Sequence, residues 1–289
     1  MSTLKVNTLS GIGTEGPVLD GGLHFRSKNY LTLPKGDTTQ RGRGRGVIAG
    51  GTTPVTSSID YFNIQSQGNS IKFGNLQSGA IFANQMCSSS TRGISGGGAQ
   101  PTIRDFLDYI TIATESDSID FGNLFASRRD IGALSNETRG IWTGGSTPSK
   151  SDVIDFVTIA TTGDASNFGD LTRTASSLGA VSNGTRAVFA NGGTNTIDFI
   201  TIASTGDATD FGDSTLLRAQ CTATMSNGIR GVFAGGYQPS PNSTDTNTVD
   251  FIEIATTGNA TDFGDISRDT NDSNRENGGC SDSHGGLSE

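Results

Sequence analysis

Across residues 153–159 the side chains alternate: Ile154, Phe156 and Thr158 lie on one side of an extended chain, and Asp155, Val157 and Ile159 on the other. The period is two and both faces are largely apolar, which predicts a strand in a sheet covered on both sides. Gly163-Asp164 follows, and the same place holds Gly206-Asp207, Gly258-Asn259 and Gly68-Asn69, with Ser116-Asp117 as the exception. Glycine and Asx residues tolerate positive φ, so a tight hairpin turn is expected there, leading into a second short strand that ends in a Phe-Gly-Asx triplet. A polar stretch with an arginine (Arg128, Arg173, Arg218, Arg268) comes next. It runs through a Ser-Asn turn, as at Ser135-Asn136 and Ser182-Asn183, into a strand opened by an arginine and closed by paired glycines. One such unit holds about four short strands.

The unit recurs five times. The opening arginines are Arg45, Arg92, Arg139, Arg186 and Arg230, separated by 47, 47, 47 and 44 residues. Each is followed by an aspartate in an apolar setting, at Asp60, Asp108, Asp155, Asp198 and Asp250. From each aspartate to the Phe of the triplet (Phe73, Phe121, Phe168, Phe211, Phe263) the distance is always 13 residues, the mark of a rigid element. From arginine to aspartate it runs 15, 16, 16, 12 and 20, so length varies only after the paired glycines, as in a surface loop. Four-stranded units of this length predict an all-β, five-bladed β-propeller, or six blades if residues 24–44 add strands of their own. The glycine pair suits the close approach of backbone to a channel or to the next blade. Residues 279–285, Gly-Cys-Ser-Asp-Ser-His-Gly, line up with Met86–Arg92, so the end of the sequence is expected to complete the first blade and close the ring.

Composition agrees with sheet and turn. The 289 residues include 41 glycines, and the polar positions are filled mostly by Ser, Thr, Asn and Gly, which disfavours long helices. A net charge of −9 argues against a nucleic-acid partner, which would need clustered cations. No N-terminal leader pattern and no window near the ~20 apolar residues of a membrane span is seen, and a soluble chain is expected. Cys87, Cys221 and Cys280 are odd in number and lack metal spacing, so buried thiols are expected.

The repeating arginine, glycine pair, Asp-aromatic step and later aromatic resemble kelch repeats over residues 41–289, although the usual Trp is replaced by Phe and Trp142 stands elsewhere. A second resemblance lies at the N-terminus. Ser2–Thr8, the Gly13–Val18 turn and the run Gly21–Phe25 through Leu33–Gly36 are similar to the arm of virion structural proteins of tailed bacteriophages, marine cyanophages in particular. The repeat wording Ile-Ala-Thr-Thr-Gly-Asp-Ala also resembles kelch-like proteins of such phages. The resemblance implies a virion component made in the host cytoplasm. Residues 1–40 would anchor to other virion proteins or oligomerise, and residues 41–289 would be displayed on a capsid, tail or fibre for host attachment. An intracellular kelch scaffold is the alternative, and a glycan-active enzyme a weaker one, since His, Tyr and Trp are scarce.

Among candidate sites, the Asx triplets Asp164, Asn167, Asp170; Asp207, Asp210, Asp213; and Asn259, Asp262, Asp265 suggest calcium only superficially. Positions three apart on a strand diverge, and turn capping explains them without metal. The five aspartates are read as structural, each paired with an opening arginine, because buried charges persist mainly with a partner. Arg41-Gly42-Arg43 reads as a solvated entry segment, and His24 and His284 belong to no catalytic constellation. No cofactor and no catalytic residue is assigned, and the protein is read as a non-enzyme. Recognition is assigned to the loops at 146–153 and 237–248, with Thr147, Lys150, Tyr237, Gln238 and Asn242 as candidates.

Overall fold

The chain divides into two units, Met1–Thr38 and Thr39–Glu289. The computed structural model describes residues 44–64, 68–221, 223–239 and 241–267, all within the second unit. The expected arm, Arg41, Arg43, Arg268, Cys280, His24, His284 and the segment 279–285 lie outside the described residues.

The repeat folds as a series of antiparallel sheets, each made of consecutive strands. The first holds β1 (Arg45–Ala49), β2 (Ser58–Asn63) and β3 (Ile71–Asn75). The second holds β4 (Gln85–Ser88), β5 (Arg92–Gly96), β6 (Phe106–Thr111) and β7 (Ile119–Asn123). The third holds β8 (Gly132–Ser135), β9 (Arg139–Thr143), β10 (Ser151–Thr158) and β11 (Ser166–Ala175). The fourth holds β12 (Gly179–Ser182), β13 (Arg186–Ala190), β14 (Thr194–Thr201) and β15 (Thr209–Arg218). In the fifth, β16 (Ala223–Ser226), β17 (Arg230–Ala234), β20 (Thr248–Glu253) and β21 (Thr261–Asp265) are joined by an excursion that forms its own ribbon, β18 (Tyr237–Gln238) with β19 (Thr244–Asp245). The opening strands β4, β8, β12 and β16 lie one against the next. The result is an all-β, propeller-like body.

Strand periodicity gives every sheet two apolar faces, and the sheets stack through them. We call leading the face that carries the first aromatic of each repeat and trailing the face that carries the aspartate. Ile59, Tyr61 and Phe73 on the leading face of the first sheet pack with Ile110 on the trailing face of the second. Ile94, Leu107 and Phe121 meet Trp142, Val157 and Ile159. Ile141, Ile154 and Phe168 meet Phe189, Ile200 and Ile202. Val188, Ile197 and Phe211 meet Phe233, Ile252 and Ile254. One hydrophobic core per junction, rather than a single central one, follows from sheets that are apolar on both sides.

The constant 13-residue spacing has a structural cause. In every sheet the third and fourth strands slip register at the triplet: Asp155 pairs with Asn167 but Ile154 with Gly169, so Phe168 is the extra residue of a β-bulge. The same slip occurs at Phe73, Phe121, Phe211 and Phe263. A bulge re-aims its side chain, and here each triplet Phe meets the aromatic next to the aspartate edge to face, at centroid distances of 5.7–5.9 Å. Gly169 takes φ +149, open to glycine. In the second to fifth sheets the side chain two residues before the bulge glycine caps it: Asn167 Oδ1 accepts from Gly169 N at 2.9 Å, and Asp120, Asp210 and Asp262 do the same for Gly122, Gly212 and Gly264.

The connection after each third strand differs from expectation. It is not a two-residue hairpin turn but a longer loop, residues 159–165 in the third sheet, that leans onto the preceding sheet. Gly163 N donates to Phe121 O at 2.7 Å and Ala165 N to Asn123 O at 2.7 Å, while Asp164 Oδ1 accepts from Asn123 N at 2.9 Å. Gly206-Asp207 and Gly258-Asn259 repeat these bonds on the triplets of the third and fourth sheets. The glycine serves the approach: a Cβ on Gly169 would collide with the backbone of Gly206.

Candidate functional site

The loops after the glycine pairs all leave their sheets at the same end, between second and third strands, and beneath them lies a buried row of charges. Asp155 on β10 pairs with Arg128 from the link after β7, Nη2 to Oδ2 2.5 Å, with both side chains fully buried. Asp250 on β20 pairs with Arg218 at the end of β15, also at 2.5 Å and fully buried. Asp198 pairs with Arg173 of β11 and accepts from Thr172 Oγ1 at 2.5 Å. In the second sheet Ser78 replaces the cation, giving Asp108 its amide at 3.0 Å and its hydroxyl at 2.7 Å. Each contact joins the trailing-face aspartate of one sheet to the end of the sheet before it.

The guanidinium groups also hold the roots of the loops. Arg128 Nη1 donates to Gly144 O and Val153 O, each at 2.7 Å, the two carbonyls that bracket the third-sheet loop. Arg218 Nη1 does the same for the fifth-sheet excursion, to Gly235 O at 3.2 Å and Thr248 O at 2.9 Å. Arg173 reaches Asn191 O at 2.7 Å and Thr194 Oγ1 at 2.5 Å. Asn191 stands where other repeats have their first paired glycine and shares its left-handed backbone, φ +65 beside +61 at Gly144, a conformation Asn tolerates. Burial pushes Asp155 and Asp198 above the usual carboxylate range, opposed by Arg128 at the first and by Thr172 and Arg173 at the second. These side chains bind main chain and one another, forming a floor beneath the loops.

The expected pairing of these aspartates with the opening arginines Arg45, Arg92, Arg139, Arg186 and Arg230 is corrected by strand parity. Arg139 pairs in register with Thr158 and Asp155 with Trp142, which places the two about three residues, roughly 10 Å, apart along the sheet and on opposite faces. The opening arginines lie instead over the aromatic ring next to the aspartate: Arg45 over Tyr61, Arg92 over Tyr109, Arg139 over Phe156, Arg186 over Phe199 and Arg230 over Phe251, at 4.3–4.7 Å from the ring centroids. The first four also donate to a carbonyl of the next sheet: Arg45 to Ile112 O, Arg92 to Ile159 O, Arg139 to Ile202 O and Arg186 to Ile254 O, at 2.7–3.0 Å. Asp60 has no arginine among the described residues and accepts from Ser58 Oγ at 3.3 Å.

Of the recognition candidates, Thr147 is exposed on the third-sheet loop, where its amide donates to Ser149 O at 2.8 Å. Lys150 is also exposed, but its ammonium donates to Gly192 O at 2.8 Å and so ties this loop to the next sheet. Tyr237 is half-buried at the base of the ribbon, its amide on Ala219 O at 2.8 Å. Gln238 accepts from Asn242 Nδ2 at 2.8 Å near the exposed tip at 241–244. The loops therefore share an end but do not converge on one pocket, and the exposed tips are Thr147–Ser149 and Pro241–Thr244.

No protein-family model matches the chain, and no curated protein does. Solved structures do match in fold. The structure of YjhT superposes with a TM-score of 0.63 at 9% identity, covering 78% of this chain and 82% of that one. At that identity the likeness carries the fold alone.

Proposed function

We propose that the chain is a structural component of a tailed-bacteriophage particle, with residues 1–40 held by other virion proteins and the repeat body displayed as the propeller of a fibre or decoration, its loops turned to the host surface. The observation that supports this reading most directly is the contrast between a 13-residue strand-and-bulge element, constant in every repeat, and a loop of changing length, its two roots fixed by a buried arginine in the third and fifth sheets. That is the construction of a display scaffold. The kelch-like wording of the repeat and the phage-like wording of the arm favour a virion over an intracellular scaffold.

In the same reading the body is a closed five-bladed ring. The first sheet lacks a counterpart of β4, β8, β12 and β16 among the described residues, and residues 279–285 match the sequence pattern of Met86–Arg92, which runs from β4 to the start of β5. Closure would cover the β1 edge, where Ile48 is 53% exposed although its counterparts Trp142, Phe189 and Phe233 are fully buried. Mass spectrometry of purified particles from cells carrying the gene is expected to find the chain at stoichiometric level, and antibody against 237–248 to label intact particles. A chain confined to the host cytoplasm and absent from particles would turn the assignment to the intracellular scaffold.

A further inference from the structure

At the junctions that follow the second and third sheets, the first paired glycine sits over apolar side chains. A Cβ on Gly97 would lie 3.3 Å from Leu124 Cδ1 and 2.9 Å from Ile131 Cδ1, and one on Gly144 would lie 3.0 Å from Leu178 Cδ2. Between the fourth and fifth sheets all three positions change. Asn191 stands for the glycine. Ser214, three residues after Phe211, stands for Leu124 and Leu171, and Cys221, ten after Phe211, stands for Ile131 and Leu178. The contacts agree with that count, since Cys221 lies against Gly236 as Ile131 lies against Gly145. Asn191 and Cys221 are fully buried and Ser214 nearly so. An apolar wedge in two junctions is a polar one in this junction.

The protein leaves these polar groups unused. Neither Oδ1 nor Nδ2 of Asn191 has a hydrogen-bond partner, and Ser214 Oγ has none. The Asn191 amide faces the Cys221 thiol, a weak partner, and the thiol itself is turned to Ala234 O at 3.7 Å. A polar residue at this place is elsewhere satisfied by protein: Asn84, just before β4 as Ile131 is just before β8, donates to Ser95 Oγ at 2.8 Å. Buried amides and hydroxyls are nearly always bonded, and where side chains and main chain supply no partner an internal water does. We propose that the junction of the fourth and fifth sheets holds an ordered internal water that bridges the Asn191 amide and the Ser214 hydroxyl, in the space that leucine and isoleucine methyls fill at the other junctions. The site suits a neutral guest. Arg218 and Asp250 act on Cys221 with opposite sign and form a closed pair at 2.5 Å, so they offer an ion no net charge. The amide supplies a donor and an acceptor and the hydroxyl either, enough for the two to four bonds, about three on average, of a buried water.

The test compares crystals of the full-length chain with those of a triple variant, Asn191→Gly with Ser214→Leu and Cys221→Ile, which rebuilds the wedge of the second and third sheets. The parent is expected to show a single ordered water about 2.7–3.2 Å from both Asn191 and Ser214, and the variant none there. A parent whose Asn191 and Ser214 bond each other or main chain, with no water between them, overturns the proposal. So does a water that persists in the variant. Ser214→Ala, which removes only the hydroxyl, serves where the triple variant fails to fold. Oxygen-17 relaxation dispersion on the full-length chain in solution is expected to count one long-lived water fewer in Ser214→Ala than in the parent, and an equal count overturns the bridge.

Discussion

Arg128 and Arg139 are eleven positions apart in the chain and do different work. Arg128 is fully buried against Asp155 and two carbonyls, whereas Arg139 lies over the Phe156 ring and reaches one carbonyl. Asp155→Ala strands a buried guanidinium, and denaturant unfolding is expected to show a loss of about 3–5 kcal/mol. Arg139→Ala, which gives up a cation–π contact and one hydrogen bond at a partly exposed site, is expected to cost about 1–2 kcal/mol by the same assay. A second test at this scale concerns the thiols. Burial pushes Cys87 and Cys221 up, which suppresses the thiolate, so neither reacts with a disulfide reagent at neutral pH until the protein unfolds. The aspartates were legible in the sequence as recurrent buried charges. Their partners were misassigned because nearness in sequence was taken over parity: with Arg139 and Asp155 on adjacent antiparallel strands, the period of two already separates them by face.

The element that repeats most faithfully is the bulged pair of strands ending in Phe-Gly-Asx. Its constancy was visible as a fixed spacing, but the reason was not, since a bulge is a relation between two strands that a single strand's pattern does not report. The Gly-Asx loop was misread for a related reason. Glycine was assigned to turn geometry, while its neighbours include the backbone of another repeat 40-odd residues away, as Gly163 with Phe121 shows. Gly169→Ala therefore meets both an unfavourable φ and the Gly206 backbone, and a loss of at least about 1–3 kcal/mol is expected from the first alone. The loop tips behave differently. Inserting four Gly-Ser residues after Thr147 or after Pro241 is expected to leave the urea midpoint nearly unchanged, while the same insertion between Asp155 and Phe168 is expected to prevent native folding.

At the scale of the body, stability is held in serial junctions, each a core shared by two sheets. A sheet loses one of its cores when either neighbour fails, so Trp142→Ala, which empties a fully buried site between the second and third sheets, is expected to lower the whole transition by about 3–5 kcal/mol rather than split it. Far-ultraviolet circular dichroism and tryptophan-independent near-ultraviolet signals that fail to coincide would count against that coupling. The repeat period made this serial architecture readable from sequence, because each unit must bury both faces against copies of itself.

The roots of the loops carry a last consequence. Arg128 and Arg218 grip carbonyl oxygens, atoms that every amino acid supplies alike. The exposed tips between those grips, Thr147–Ser149 and Pro241–Thr244, thus carry little duty to the fold, and their sequence can be rewritten while the sheets beneath keep their form.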